Sequence, residues 1–226
     1  MKLTKSSYKD TLNISLIVST FFVLSVIAAG NYQIVLAQTH PEGSYGAGGY
    51  GSDIYSGSME EEGGEEEVTE TLSFCVYTGS DCAGGGSVID FGTLGIDNTS
   101  TGLSRFDVAT NATNGVTVSI FGTTLDNGSS TIDPFGLTPA ASTPGIEQFG
   151  LRVSSISGGS MSAASTFNDM SPNQYMFDAG TYIDVGSSSG STNSSTFEIE
   201  YAANISAITS PGIYVSDINY IATATF

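Results

Sequence analysis

The last stretch of the chain, residues 196–226, constrains the fold more than any other part of the sequence. From Phe197 to Ile205, apolar residues alternate with Glu, Ala and Asn, which is the period of two that a half-buried strand requires. After Thr209-Ser210-Pro211-Gly212 the alternation resumes and continues to Phe226. Two alternating runs on either side of a Pro-Gly turn predict an antiparallel β-hairpin. The rest of the chain must then supply a core that covers this hairpin.

Short alternating segments also precede this region, and they predict an all-β domain over residues 71–226. With the C-terminal pair they make about eight strands, which favours an antiparallel β-sandwich of the jelly-roll or immunoglobulin-like kind. One helical turn is expected within residues 161–170, ended by Pro172, and two Gly-Ser-rich segments, 157–160 and 186–195, predict loops. The strand candidates before the C-terminal pair are residues 68–77, 87–94, 103–110, 116–124, 146–154 and 182–185.

Residues 1–37 predict a Sec-type signal peptide. Three lysines precede a mostly apolar run, and Val35-Leu36-Ala37 supplies small residues where a signal peptidase cuts, so cleavage is predicted after Ala37. The protein is therefore expected to be extracellular or at the cell surface. If the segment stays uncleaved, the same apolar run is expected to anchor the chain in the membrane.

Residues 38–70 predict a disordered acidic linker. Gly, Ser and Tyr are followed by seven Glu between Glu60 and Glu70, and such a segment buries too little apolar area to offset its chain entropy. We interpret it as a solvated tether. The alternative is that the Glu run binds calcium or a basic component of the cell wall. His40, the only histidine in the chain, lies in this linker.

Cys75 and Cys82, the only two cysteines, are predicted to form a structural disulfide. The turn-forming residues Thr78-Gly79-Ser80-Asp81 between them let the two side chains face each other. An even pair in an exported chain is typical of a disulfide, whereas a metal or redox role would need a CxxC spacing or a histidine partner.

The charge of the chain restricts its partners. The formal net charge is −18, and Arg105 and Arg152 are the only Lys or Arg residues after position 9. This argues against nucleic acid as a partner, because binding to phosphate requires Lys and Arg. No cofactor is predicted. Calcium is the one candidate metal, since Asp97, Asp126 and Asp133 offer oxygen ligands, although Asp126-Asn127-Gly128 is first of all a turn-forming sequence.

The sequence contains little that points to catalysis. A Ser or Cys nucleophile needs a base, usually His, but His40 lies in the predicted linker and the cysteines are expected to be oxidised. A carboxylate pair for glycoside hydrolysis remains an alternative. Its candidates are Glu147, Asp178, Glu198 and Glu200, although Glu198 and Glu200 share a strand face that the pattern predicts to be solvated.

Several segments resemble a group of bacterial surface proteins. The sequence Ser210-Pro211-Gly212-Ile213-Tyr214 with the closing alternation is similar to the final strand of WxL-like, spore-coat-U-like and pilin-like β-sandwich domains, and residues 89–94 and 144–151 resemble uncharacterised exported proteins of small-genome bacteria. The likeness covers about residues 72–226. Both Trp-x-Leu motifs are absent, so the peptidoglycan binding that this family implies is not carried over. Isopeptide bonds of the pilin kind are not expected, because no lysine follows position 9.

These observations lead to three functional expectations. The first is a noncatalytic structural protein of the bacterial envelope or of a surface appendage, which self-associates through edge strands. The second is a monomeric adhesin or a module that binds cell-wall or host glycans through loops such as 97–103 and 126–137. The third is a secreted enzyme that acts on glycans.

The predicted division of the chain can be tested by limited proteolysis with a Glu-specific protease. Because an unfolded acidic linker is accessible and a packed sandwich is not, the protease should remove the residues before about position 68 and leave a resistant core. Mass spectrometry identifies the fragments. An early cut within residues 71–226 would contradict a single domain.

Overall fold

The computed structural model describes residues 16–18, 22–28, 69–83, 88–168 and 170–226, the first two ranges by their backbone alone. The predicted cleavage after Ala37 and the linker up to position 68 lie outside these ranges. No helix in the part of the chain that the structure describes has the length and apolar character needed to cross a membrane. The elements are β1 (Leu16–Val18), β2 (Phe22–Ala28), β3 (Leu72–Tyr77), β4 (Ser100–Thr110), β5 (Val116–Gly122), β6 (Gly136–Ala141), β7 (Gln148–Gly158), β8 (Ser162–Ala163), α1 (Ser165–Asn168), β9 (Gln174–Phe177), β10 (Ile183–Ser188), β11 (Thr192–Asn204) and β12 (Ile218–Thr225).

The described strands form two sheets, and the predicted all-β sandwich is confirmed. The order in one sheet is β3-β4-β11-β7-β9-β6, and the order in the other is β1-β2-β12-β5-β10-β8. The pairings between these strands are antiparallel. We call them the β11 sheet and the β12 sheet.

The strand β11 lies in the middle of its sheet, where β4 and β7 pair with its two edges. Its alternation places Phe197, Ile199 and Tyr201 on the buried side. The Phe197 ring stacks on Phe106 of β4 with 4.7 Å between ring centroids, and Phe106 also contacts Tyr220 of β12 at 5.6 Å. These aromatic contacts join the two sheets across one apolar core.

A polar contact also crosses the core. The hydroxyls of Tyr201 in the β11 sheet and Tyr220 in the β12 sheet hydrogen-bond to each other, and Ser104 Oγ lies 3.2 Å from the Tyr220 hydroxyl. Burial raises the pKa of both tyrosine hydroxyls, so they remain protonated and can share these bonds. A buried hydroxyl without a partner would be costly, so this network favours one placement of β12 opposite β11.

The predicted C-terminal hairpin is wrong. The two alternating runs do form strands, β11 and β12, but β12 pairs with β5 and β2, in the opposite sheet. Residues 205–217 cross from one sheet to the other, so Pro211-Gly212 lies in a connection between layers. Alternation reveals which face of a strand is buried, but it does not identify the strand that bonds to its edges.

The other predictions of single elements are confirmed in part. The helical turn expected within residues 161–170 is confirmed as α1. The strand predicted at 87–94 is wrong over its described part, because residues 88–94 form no strand, although Ile89 and Phe91 pack against the core. Strand β10 runs to Ser188 and β11 begins at Thr192, so most of the loop predicted at 186–195 is strand. Five strands were not predicted: β1 and β2, which lie within the predicted signal peptide, and β6, β8 and β9.

Candidate functional site

Two ion pairs lie on the outer face of β11, one toward each neighbouring strand. Glu198 is the direct cross-strand partner of Arg105 on β4, and Glu200 is the direct partner of Arg152 on β7. Each of these two pairs forms a salt bridge. The two arginines that follow position 9 therefore hold β11 in register with its two neighbours. Cross-strand pairs of opposite charge stabilise a sheet modestly and penalise a slipped register.

The carboxylate of Glu200 is the more fully bonded of the two. Arg152 donates to both of its oxygens, from Nε at 3.2 Å and from Nη2 at 3.1 Å, and the Tyr175 hydroxyl donates to Oε1. Burial alone would raise the pKa of Glu200, but the hydrogen bonds from Arg152 and Tyr175 and the arginine charge outweigh it and hold this pKa below 4.5. Burial, together with the bond to Glu200, raises the pKa of Tyr175 to about 12. Glu200 thus stays ionised, which is the opposite of what a general acid requires.

The four carboxylates considered for glycoside hydrolysis each have their own hydrogen-bond partner. Thr209 donates to Glu147, Thr181 donates to Asp178 at 2.6 Å, and Glu198 and Glu200 are bonded to the arginines. The prediction that Glu198 and Glu200 are simply solvated is wrong, because their side chains are only 24% and 21% exposed. Arg105 and Arg152 bind these carboxylates in place of the solvent that the pattern predicts. Both arginines fall inside predicted strands, which was the one indication of this in the sequence.

A polar recess of about 500 Å³ opens beside Glu200. The buried Asn204 donates from Nδ2 to Oγ of the lining residue Ser142 at 2.8 Å and to Gln148 Oε1 at 3.0 Å, while its Oδ1 has no partner. Hydroxyls, an amide and a carboxylate in one recess suit a polyhydroxylated ligand. Thr99 and Thr101 belong to residues 97–103, which the adhesin hypothesis treats as a loop, although Thr101 lies in β4. Residues 126–137 do not line the recess. The lining residues are Thr99, Thr101, Ser142, Pro144, Asn173, Tyr175 and Glu200.

The three calcium candidates lie in separate environments. Asp97 and Asp133 are exposed, and Asp126 accepts a hydrogen bond from the backbone N–H of Gly128, which closes the turn it was also expected to form. Within the described ranges, the only three His, Cys, Asp or Glu residues whose ligand atoms lie close together are Cys75, Cys82 and Asp107. The structure therefore does not bring the three aspartates together.

Cys75 and Cys82 form the disulfide that the sequence predicts, with 6.1 Å between their Cα atoms. Cys75 lies in β3, the edge strand of the β11 sheet, and the bond closes the loop that follows it. Asp107 of β4 lies beside this corner and accepts hydrogen bonds from the Tyr77 hydroxyl at 3.1 Å and from Thr196 Oγ1 at 2.7 Å. The corner is thereby fixed to the outer face of the sheet.

The outer edge of β12 is the other feature that can bind a partner. Thr225 donates from its N–H to Gly115 O at 2.9 Å, and its C=O accepts from Asn114 at 3.0 Å, so its peptide groups point toward β5. Successive residues of an antiparallel strand direct these groups to opposite sides. The peptide groups of Ala222 and Ala224 therefore point to the outer edge, where β2 pairs with the strand. Sequence reasoning missed this edge because the predicted hairpin placed β11 there.

No known protein family, curated protein or solved structure matches this chain. The resemblance to WxL-like, spore-coat-U-like and pilin-like domains therefore remains an expectation. The arguments for function come from the geometry of the recess and of the β12 edge.

The role of Glu200 can be tested by its replacement. Glu200→Gln should lower the free energy of unfolding by about 1–2 kcal/mol at pH 7, because it removes a charged acceptor and leaves Arg152 without its counter-charge. A carboxyl with a lowered pKa in the folded state stabilises above its ordinary pKa of 4.5 and loses this effect as the pH falls through the folded value. The difference in Tm between wild type and variant should therefore shrink below about pH 4.5.

Thermal melting followed by circular dichroism from pH 7 to pH 3 measures this difference. Asp133→Asn, at an exposed position, is the matched control and should change stability by less than about 0.5 kcal/mol. Equal melting of wild type and Glu200→Gln at pH 7 would contradict a stabilising ion pair.

Proposed function

We propose that this chain is a noncatalytic structural protein of the bacterial surface, exported through its N-terminal signal and assembled through strand pairing between copies. The outer edge of β12, which would be exposed once β2 is removed with the predicted signal peptide, carries this proposal. Natural sheet proteins guard exposed edge strands with charges, Pro or bulges. Residues Ile218–Thr225 contain no charged residue, Pro or Gly, and the pairing with β5 and β2 runs without a register shift.

The rest of the domain suits a structural role. The disulfide at Cys75–Cys82 and the two cross-strand ion pairs stiffen the β11 sheet without forming a reactive centre. The predicted acidic linker would hold the domain away from the cell, because like charges repel and extend a chain. The high negative charge would keep the exported protein soluble before assembly.

A second candidate function is supported by the polar recess beside Glu200. A monomeric adhesin would bind a cell-wall or host glycan there, since the lining hydroxyls and the Asn173 amide can exchange hydrogen bonds with sugar hydroxyls. The Tyr175 ring is buried, so it offers no open aromatic face to a sugar. This favours the structural protein over the adhesin, because carbohydrate sites usually present such a face.

Fractionation of cells that produce the full chain tests the proposed function. A structural subunit should be retained at the cell surface as a dimer or larger assembly, released by denaturant, and visible there by immunogold labelling. A monomer free in the medium would contradict the proposal. Binding to a glycan array that is lost in Thr101→Arg, inside the recess, and kept in Leu103→Arg, outside it, would support the adhesin instead.

A further inference from the structure

The strand β12 has a chemically uniform outer edge. The peptide groups of Tyr220, Ala222 and Ala224 point outward by the same alternation that directs Thr225 toward β5. The same alternation holds just before the start of β12. The N–H of Thr123 donates to Asp217 O at 3.0 Å, so the peptide groups of Asp217, like those of Thr225, point toward β5. The edge therefore presents an N–H and a C=O at every second residue, the repeat that an antiparallel partner strand requires.

In the full chain, this edge is occupied by β2. The register pairs Tyr220 with Ala28, Ala222 with Val26 and Thr225 with Val23, all antiparallel. Strand β2 lies inside the predicted signal peptide, which ends at Ala37. Removal of residues 1–37 would remove this strand, and the outward peptide groups of β12 would lose their hydrogen-bond partners. Unpaired strand edges of this kind readily accept another strand.

We propose that the place of β2 in the exported protein is taken by β12 of a second copy, paired antiparallel across a two-fold axis. This inference rests on the proposed function and names its interface. Two identical strands pair antiparallel by a two-fold rotation, which is the direction that β2 already has on this edge. The predicted linker is an unsuitable donor, because its Gly and Glu residues disfavour strand formation.

Among the strands that the structure describes in the predicted mature chain, the others at a sheet edge are less suited to pairing with a second copy. Strand β8 has only two residues, and β6 contains Pro139 and pairs with β9 through a register shift. Strand β3 ends at the corner that the Cys75–Cys82 disulfide closes. Strand β12 is longer than β3, β6 or β8, and the outward peptide groups of Ala222 and Ala224 belong to residues with small side chains.

The spacing of the outward peptide groups limits the register of the pair. The proposed dimer has its two-fold axis at Ala222 or at Thr223, so that Thr223 lies opposite Ile221 or opposite Thr223 of the second copy. Thr223 is half-buried and its side chain points away from the core, because its neighbours Ala222 and Ala224 are buried. In either register the two Thr223 side chains are direct or diagonal neighbours, close enough for charges to interact.

A charge exchange at Thr223 tests the interface. The full chain is produced in a secreting host, and the intact mass of the recovered protein shows whether residues 1–37 have been removed. We expect the processed wild type to have the solution mass of a dimer by light scattering. Thr223→Lys and Thr223→Glu should each weaken dimerisation by about tenfold or more, because like charges meet across the axis. An equimolar mixture of the two variants should restore the dimer.

Thr117→Lys is the matched control, because Thr117 is the cross-strand partner of Thr223 on β5, one strand further from the edge. This variant should dimerise like the wild type. Circular dichroism verifies that each variant is folded; if charges at Thr223 unfold the domain, the same exchange at Ile221 replaces it.

Three results would overturn the inference: a processed wild type that is monomeric, a protein that is exported as a monomer with residues 22–28 retained, or a dimer that persists in both Thr223 variants. The last result would move the interface to another surface, and the fractionation of cells would then decide the proposed structural role. A monomeric protein at the cell surface would count against both.

Discussion

The structure depends on the burial of the inner face of β11. Phe197, Ile199 and Tyr201 lie on this face, and their neighbours along the strand point outward. Burying a side chain of this size contributes about 1.5–3 kcal/mol, and β11 can bury its inner face only if a second sheet covers it. The backbone of β11 then forms hydrogen bonds with β4 on one edge and with β7 on the other. Strands β5 and β12 supply the opposite sheet.

Polar contacts select one arrangement among those that hydrophobic burial alone would permit. On the outer face, Arg105 and Arg152 bind Glu198 and Glu200, so a slip of one residue would place a carboxylate in the core. Inside the core, the Tyr201–Tyr220 hydrogen bond fixes β12 against β11. The same bond sets which residues of β12 face inward. The outward peptide groups of the strand, and with them the proposed interface, follow from this contact across the core.

The sequence predicts which face of a strand is buried, but it does not predict which strands pair with each other. Alternation in residues 196–226 correctly separates buried Phe197 and Tyr220 from the outward residues, since a period of two reports burial directly. It could not show that the two runs belong to different sheets, because that depends on long-range packing across the core. The segment around Phe91 packs without forming a strand. Strand β6 contains Gly136 and Pro139 and shows no apolar alternation, and β9 has only four residues. The disulfide was predictable because Cys75 and Cys82 have no alternative partner within the chain.

The candidate sites were predictable to different degrees. The recess combines Thr99 and Thr101, from the segment predicted as a loop, with Tyr175 of β9 and Glu200 of β11, and no linear motif relates these segments. The β12 edge was hidden by the wrong hairpin, which assigned it a partner from the same chain. Both depend on strand order, which a single sequence does not reveal where the paired strands lie far apart in the chain, as β12 and β5 do.

Residue-resolved hydrogen exchange of the processed, exported protein tests the central claim most directly. The amides of Ile221 and Thr223 point toward β5 and should exchange slowly at every protein concentration. The amides of Ala222 and Ala224 point to the outer edge, so pairing with a second copy predicts that their protection rises as the concentration is raised. If both amides exchange at the rate of unpaired groups at all concentrations, while Ile221 and Thr223 stay protected, the edge is free and the account of assembly through β12 is contradicted.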